Sequence, residues 1–305
     1  INIWNDHSDS MSQRDSGWIQ LFAETGQEAL DLHIQAFRIA ERLSTPVMVC
    51  MDGFLLTHAS ERMDIPAQEQ VDAFLPPYEP RQVLDPADPI SIGAMVGPEA
   101  FTEVRYLAQA RMLQALDLIP AVAAGFRSGF GRDSGGLVRP YRTEDADLIV
   151  VALGSVLGTI KDAVDELRAE GLRIGVVGIT TFRPFPAHAV REALAGASRL
   201  VVIERALAPG SGGIVTGDIR TALAAADGPE ISTVVAGLGG RAVTRKSLQR
   251  MLRSAAGGAL EPMSFLDLDA GLVERELGRM RATRRSGPSA ENLLRDLGVT
   301  ASGIG

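Results

Sequence analysis

Apolar and polar positions recur with two different periods along this chain. In the first third the spacing is helical. Leu30, His33 or Ile34, Phe37 and Ala40 return every three or four residues, which predicts a loop and then a helix within residues 15–44. Pro46 closes it, and Val47 to Met51 read as a buried strand ending at Asp52-Gly53-Phe54. Residues 61–100 are broken by Pro66, Pro76, Pro77, Pro80, Pro86, Pro89 and Pro98. Little regular structure should survive there, and the apolar Ile65, Phe74, Leu75 and Tyr78 suggest an arm laid on a neighbouring surface. A second long helix is expected over residues 99–126.

From Ala146 the pattern changes to apolar strands separated by amphipathic helices. Strands are predicted at Leu148 to Leu153, Ile174 to Thr181, Leu200 to Ile203 and Ile231 to Ala236. Helices are predicted at Thr159 to Ala169, after Pro186, over Ile214 to Ala225, and from a Thr244 cap through Leu252. Strands of continuous apolar character alternating with helices predict a parallel sheet covered on both faces. The Gly- and Pro-bearing stretch between is the expected boundary. This divides the chain into residues 1–128, a linker at 129–145, an α/β domain at 146–255 and a tail at 256–305.

Composition narrows the function classes. Hydrophobic residues make up 46% and charged residues 22% of 305, an ordinary globular mix of about two domains. No apolar run approaches the ~20 residues needed to span a membrane. The net charge of -8 argues against a nucleic-acid surface, and an anionic substrate would need a local cation to override that background. The single cysteine, Cys50, cannot form an internal disulfide or supply an iron–sulfur cluster. It reads as a core residue in a reducing cytoplasm. The start at Ile1, without Met and inside a strand-like Ile1-Asn2-Ile3-Trp4, suggests a chain cut upstream.

No P-loop, G-x-G-x-x-G after the Val150 strand, H-E-x-x-H or G-x-S-x-G signature occurs. Gly154-Ser155 reads as a plain strand-to-helix turn. His7 and His58 read as structural histidines, lacking a second ligand or nucleophile at useful spacing. Arg183, ending a strand before Pro184, could join the two domains or face coenzyme A, and the structural role is favoured.

One polar stretch carries more. Asn5-Asp6-His7-Ser8-Asp9-Ser10-Met11-Ser12-Gln13-Arg14-Asp15-Ser16-Gly17-Trp18 resembles the thiamine-site segment of the alpha subunit of pyruvate:ferredoxin oxidoreductases. The resemblance continues in order through Gln27-Glu28-Ala29-Leu30-Asp31, Asp52 to His58, Phe74 to Tyr78, Thr102 to Tyr106, Tyr141 to Asp147, Phe182 to Phe185 and Ala236 to Arg241. It implies an α/β fold: a partial thiamine-diphosphate-binding (pyrimidine-type) domain, lacking roughly 100 upstream residues, about a domain's larger half, followed by a transketolase C-terminal-like parallel α/β domain.

The resemblance implies roles too. Arg14 would hold the carboxylate of a 2-oxoacid, with Asp9, Asp15 and Ser16 near the thiamine site. Thiamine diphosphate would be shared with a beta subunit, and Mg2+ and the iron–sulfur clusters would sit on partner subunits. The expected partners are the beta, gamma and delta subunits, ferredoxin, pyruvate and coenzyme A, with no nucleic acid and no membrane. The glutamate that meets the aminopyrimidine in the family lies upstream of the Arg14 stretch and has no counterpart here. A sister enzyme for branched-chain 2-oxoacids or oxalate, and a truncated subunit that only docks partners, are the alternatives.

Overall fold

A computed structural model describes residues 2–91, 93–224, 228–282 and 289–299. The chain divides into two compact units, Ile1–Leu266 and Asp267–Gly305. In the second unit, α9 (Ala270–Ala282) and α10 (Ser289–Asp296) are tied by Arg279, whose guanidinium donates to Asp296 at 2.6 and 2.8 Å.

The first unit is built on two sheets. The smaller has the order β2 (Val47–Cys50), β1 (Ile19–Phe22), β6 (Thr181–Arg183), with β1 and β2 parallel. Helices α2 (Gly26–Leu43) and α4 (Phe101–Phe130) cover it. Leu32, Ile39, Ile119 and Phe126 from these helices are almost fully buried against Ile19 and Leu21. The short α3 (Gln68–Phe74) interrupts the Pro-rich arm. Its Phe74 meets Phe126 edge-on, while Phe126 and Phe130 stack at 4.2 Å.

The larger sheet has the order β3 (Val138–Tyr141), β5 (Ile174–Ile179), β4 (Leu148–Ala152), β7 (Arg199–Glu204), β8 (Glu230–Val235), β9 (Met263–Phe265). All neighbours are parallel except β3 with β5. Both faces are covered, as continuous apolar strands require. On one face α5 (Val156–Ala169) and α8 (Arg245–Ala256) pack over Val150, Val176 and Val201. On the other, α6 (Ala187–Ala193) and α7 (Ile214–Ala222) pack over Ile149, Val177 and Val202. Thr244 caps α8, its hydroxyl accepting the Ser247 amide at 3.1 Å. Thr244→Ala should cost about 1 kcal/mol, read as a lower urea midpoint at unchanged m-value.

Four expectations are corrected. Residues 2–6 form no strand, and Ile1 lies outside the described residues. The expected linker at 129–145 is not a tether: it holds the end of α4 and the edge strand β3. The expected strand at Ile174 to Thr181 is two strands, and β6 leaves the large sheet to pair antiparallel with β1. Helix α7 ends at Ala222, and Ala225 lies outside the described residues.

Candidate functional site

The polar loop after residue 4 folds onto itself. A short helix, α1 (Ser8–Ser12), is its centre, and Met11 is its buried foot. Serine hydroxyls bond back three residues: Ser10 to the His7 carbonyl, Ser12 to Asp9, Ser16 to Gln13. Such local bonds let a densely polar segment hold a turn conformation without a sheet or long helix. Gln20, buried in β1, donates to the Ser10 carbonyl at 2.7 Å and ties the loop to the small sheet.

Arg14 follows α1. Its Nη1 donates to the Met11 carbonyl at 3.0 Å, and its Nε lies 3.7 Å from the exposed Asp15 carboxylate. One third of the side chain is exposed. It lines a cleft of about 650 Å³ with Asp15, Ser16, Trp18, Arg105, Arg111, Arg183 and Asp218. Four arginines and two aspartates line it, so the cleft carries net positive charge in an acidic chain. Arg183 donates to Asp218 at 3.0 Å and lies over the Phe182 ring at 4.1 Å. Burial pushes the Asp218 carboxyl up, against the opposing pull of Arg183 and Arg14. Arg183 is thus held in place by an ion pair as well as by its strand.

Asp9 does not share this cleft. It lines a separate opening of about 740 Å³ with Trp4, His7, Phe22, Met48, Cys50 and Asp52. Of the four residues singled out in the sequence, Arg14, Asp15 and Ser16 come together and Asp9 faces elsewhere. Cys50 is half-buried on the wall of this second opening rather than in the core. Burial pushes its thiol up to about 12, which leaves it protonated at neutral pH.

Beneath the loop lies a buried ionic cluster that sequence reasoning missed. Asp52, at the end of β2, has Oδ1 2.8 Å from His7 Nε2. Its Oδ2 accepts the Ser155 amide at 2.8 Å, the Ser155 hydroxyl, and Arg205 Nη1 at 2.6 Å. Asp52, His7 and Arg205 are each under 5% exposed. Burial alone would push the Asp52 carboxyl up. The His7 contact, the Arg205 charge and the Ser155 bonds outweigh it and hold the carboxyl well below the usual carboxylate range. The partners are spread over residues 7, 52, 155 and 205, so no local spacing announces them. The one visible signal was Glu204-Arg205, two charges closing an apolar strand.

Among the described residues no group of three or more His, Cys, Asp or Glu is arranged to hold a metal, and no helix is long and apolar enough to cross a membrane. The residues around Arg14 suit an organic anion. Asp52 is already fully engaged, so it is not free to meet a heterocyclic nitrogen.

Two family descriptions match the chain. "Pyruvate flavodoxin/ferredoxin oxidoreductase, thiamine diP-bdg" matches residues 1–123, and "Pyruvate:ferredoxin oxidoreductase core domain II" matches residues 146–248. The pyruvate synthase subunit PorA of Methanothermobacter thermautotrophicus is 40% identical over 255 residues, covering 83% of this chain and 66% of that protein. PorA of Methanosarcina barkeri is 39% identical over 282 residues, covering 90% and 70%. The ketoisovalerate oxidoreductase subunit VorA of Pyrococcus horikoshii is 36% identical over 250 residues, covering 81% and 64%. The chain therefore spans about two thirds of the length of these relatives. Among solved structures, a 2-oxoglutarate:ferredoxin oxidoreductase from Magnetococcus marinus shares the fold, with a TM-score of 0.56 at 17% identity over 82% of this chain and 45% of that one.

Proposed function

The chain belongs to the pyruvate:ferredoxin oxidoreductase family, and from that premise we propose that it is part of the alpha subunit of an enzyme converting pyruvate and coenzyme A to acetyl-coenzyme A and CO2, with electrons passing to ferredoxin. The synthetic direction uses the same groups. The observation that carries this reading is the Arg14 guanidinium on the wall of a cationic cleft, beside Arg105, Arg111 and Arg183.

The chemistry follows from that placement. The Met11 carbonyl occupies one donor of Arg14 and leaves the rest of its planar fork for a carboxylate. A 2-oxoacid held by its carboxylate has its 2-oxo carbon fixed in one direction, which supplies orientation before any bond changes. Thiamine diphosphate supplies the electron sink for decarboxylation. Asp15 and Ser16 line the same cleft and would shape the substrate's approach, while Asp9 lines the other opening and is assigned to the cofactor side of the loop.

We assign residues 1–128 to the later part of the pyrimidine-type domain and 146–255 to a domain of the transketolase C-terminal type. The diphosphate and Mg2+ are assigned to a beta subunit and the iron–sulfur clusters to beta and delta polypeptides, with a gamma subunit completing the complex in the cytoplasm. One cysteine in 305 residues cannot ligate a cluster, which supports that division. Partner contact is supported by the first half of α4, which leaves Phe101, Tyr106, Leu107 and Leu113 more than half exposed.

The similarity to a ketoisovalerate oxidoreductase subunit gives a second reading, a branched-chain 2-oxoacid enzyme. The test is co-expression of the full-length subunit with its partner subunits, followed by viologen reduction with coenzyme A and either pyruvate or 2-oxoisovalerate. A higher kcat/KM with pyruvate is expected, and none of this turnover from the isolated chain. Preference for the branched acid would favour the sister enzyme. No turnover of the assembled complex with any 2-oxoacid would leave a docking subunit.

A further inference from the structure

The strand order of the large sheet reverses between β4 and β7, since β5 lies on one side of β4 and β7 on the other. In open α/β sheets the crevice outside the carboxyl ends of the strands at such a reversal is the habitual ligand position, and a helix start there attracts an anion. Here that crevice is already filled from within the chain. The Asp52 carboxylate sits at the start of the 14-residue helix α5, on the Ser155 amide and hydroxyl, and meets Arg205 from the end of β7. Gly154 makes room for it. Its φ is +75°, and a Cβ there would lie 3.1 Å from both Asp52 Oδ2 and His7 Nε2. A turn that looks ordinary in sequence is a socket for an internal anion.

The same socket holds the loop that carries Arg14. The His7 amide donates to the Arg205 carbonyl at 2.8 Å, and Arg205 Nη2 donates to the Asn5 carbonyl at 3.4 Å. The His7 ring packs on Phe22 at 5.1 Å. From His7 the bonds run on: the Met11 amide donates to the His7 carbonyl at 2.9 Å, and the Met11 carbonyl accepts both the Arg14 amide at 3.2 Å and Arg14 Nη1 at 3.0 Å. Two successive turns therefore connect the buried carboxylate to the substrate-facing guanidinium.

We propose that Asp52 is a positioning residue, whose carboxylate, seated in the ligand crevice of the second sheet, fixes the His7–Arg14 loop in the geometry that presents Arg14 to the 2-oxoacid. This rests on the substrate role of Arg14. It goes beyond that role by making substrate affinity depend on a group that never touches substrate. Mutation of the supporting contacts of a binding group typically costs 10–100-fold.

The experiment is a double-mutant cycle in the assembled oxidoreductase carrying the full-length subunit, with Asp52→Asn and Arg14→Lys alone and together. Asp52→Asn should raise KM for the 2-oxoacid roughly tenfold with kcat within about twofold, and should add little on the Arg14→Lys background. A merely structural Asp52 would lower the yield of active enzyme, and so kcat, at constant KM. That result, or an equal KM effect on both backgrounds, overturns the proposal. If Arg14→Lys alone leaves KM unchanged, the substrate role of Arg14 itself has failed, which the single variant reports separately. If Asp52→Asn does not assemble, Ser155→Ala removes one bond to the same oxygen and should show the same split at about threefold. Unchanged KM in Ser155→Ala would then overturn the proposal.

Discussion

Replacing Arg14 by alanine in the assembled enzyme should lower kcat/KM for the 2-oxoacid by roughly 30-fold to a few thousand-fold, carried mainly by KM. A charge-assisted pair truncated on one side in a desolvated site costs about 2–5 kcal/mol, and each 1.36 kcal/mol is about a factor of ten. The cost has that size only if the site is dry. One third of the Arg14 side chain is exposed in this chain, and its contact with exposed Asp15 is worth little in water. The full penalty therefore requires that a partner subunit close over the Trp18 and α4 side of the cleft. Arg14→Lys keeps the charge and loses the planar fork, so its effect should be smaller. Steady-state kinetics with graded pyruvate separates these outcomes. An alanine variant with the KM of the parent enzyme ends the carboxylate assignment, whatever its kcat.

What the sequence revealed depended on whether the interactions were local. Helix α2 was legible as a helix but not by its buried face: Phe37 is 61% exposed, while Ala29, Leu32, Ala36 and Ile39 are buried, and α8 was legible from Thr244, which accepts an amide three residues on. The parallel strands were legible because both faces are covered, which leaves a continuous apolar run. β3 was not. Val138-Arg139-Pro140-Tyr141 follows Gly135-Gly136 and reads as a linker, yet Pro140 is tolerated because β3 is an edge strand paired only with β5. β6 is three residues long, too short for any period to register, and it exists only because β1 offers a free edge. Arg14 was found through the order of residues around it. The cleft that gives it company, with Arg105 from α4 and Arg183 from β6, is assembled across the fold. Asp52 and Arg205 are 153 residues apart and meet only after both sheets have formed.

The stability of that meeting gives the second large effect. Arg205→Met should destabilise the chain by about 3–5 kcal/mol, because it leaves a buried carboxylate without its cation. Methionine fills much of the arginine stem's volume, so the loss is of charge compensation rather than of packing. The pH dependence tests the cause. In the parent chain the Asp52 carboxyl is held below the usual range, so its contribution is complete above about pH 4, where the unfolded carboxyl ionises, and is lost as pH falls toward the folded value. Without Arg205 one of the pulls that hold the carboxyl down is lost, while His7 and Ser155 remain, so the carboxyl rises from its parent value and the variant takes up a proton at a higher pH than the parent does. The deficit between the two chains should therefore be largest near neutral pH and shrink on acidification through pH 5 to 3. Urea unfolding at several pH values measures it directly. A deficit below about 1 kcal/mol, or one that grows on acidification, would show that the cluster does not depend on this pair, and the double tether from β7 to Asp52 and His7 would then be only a packing contact.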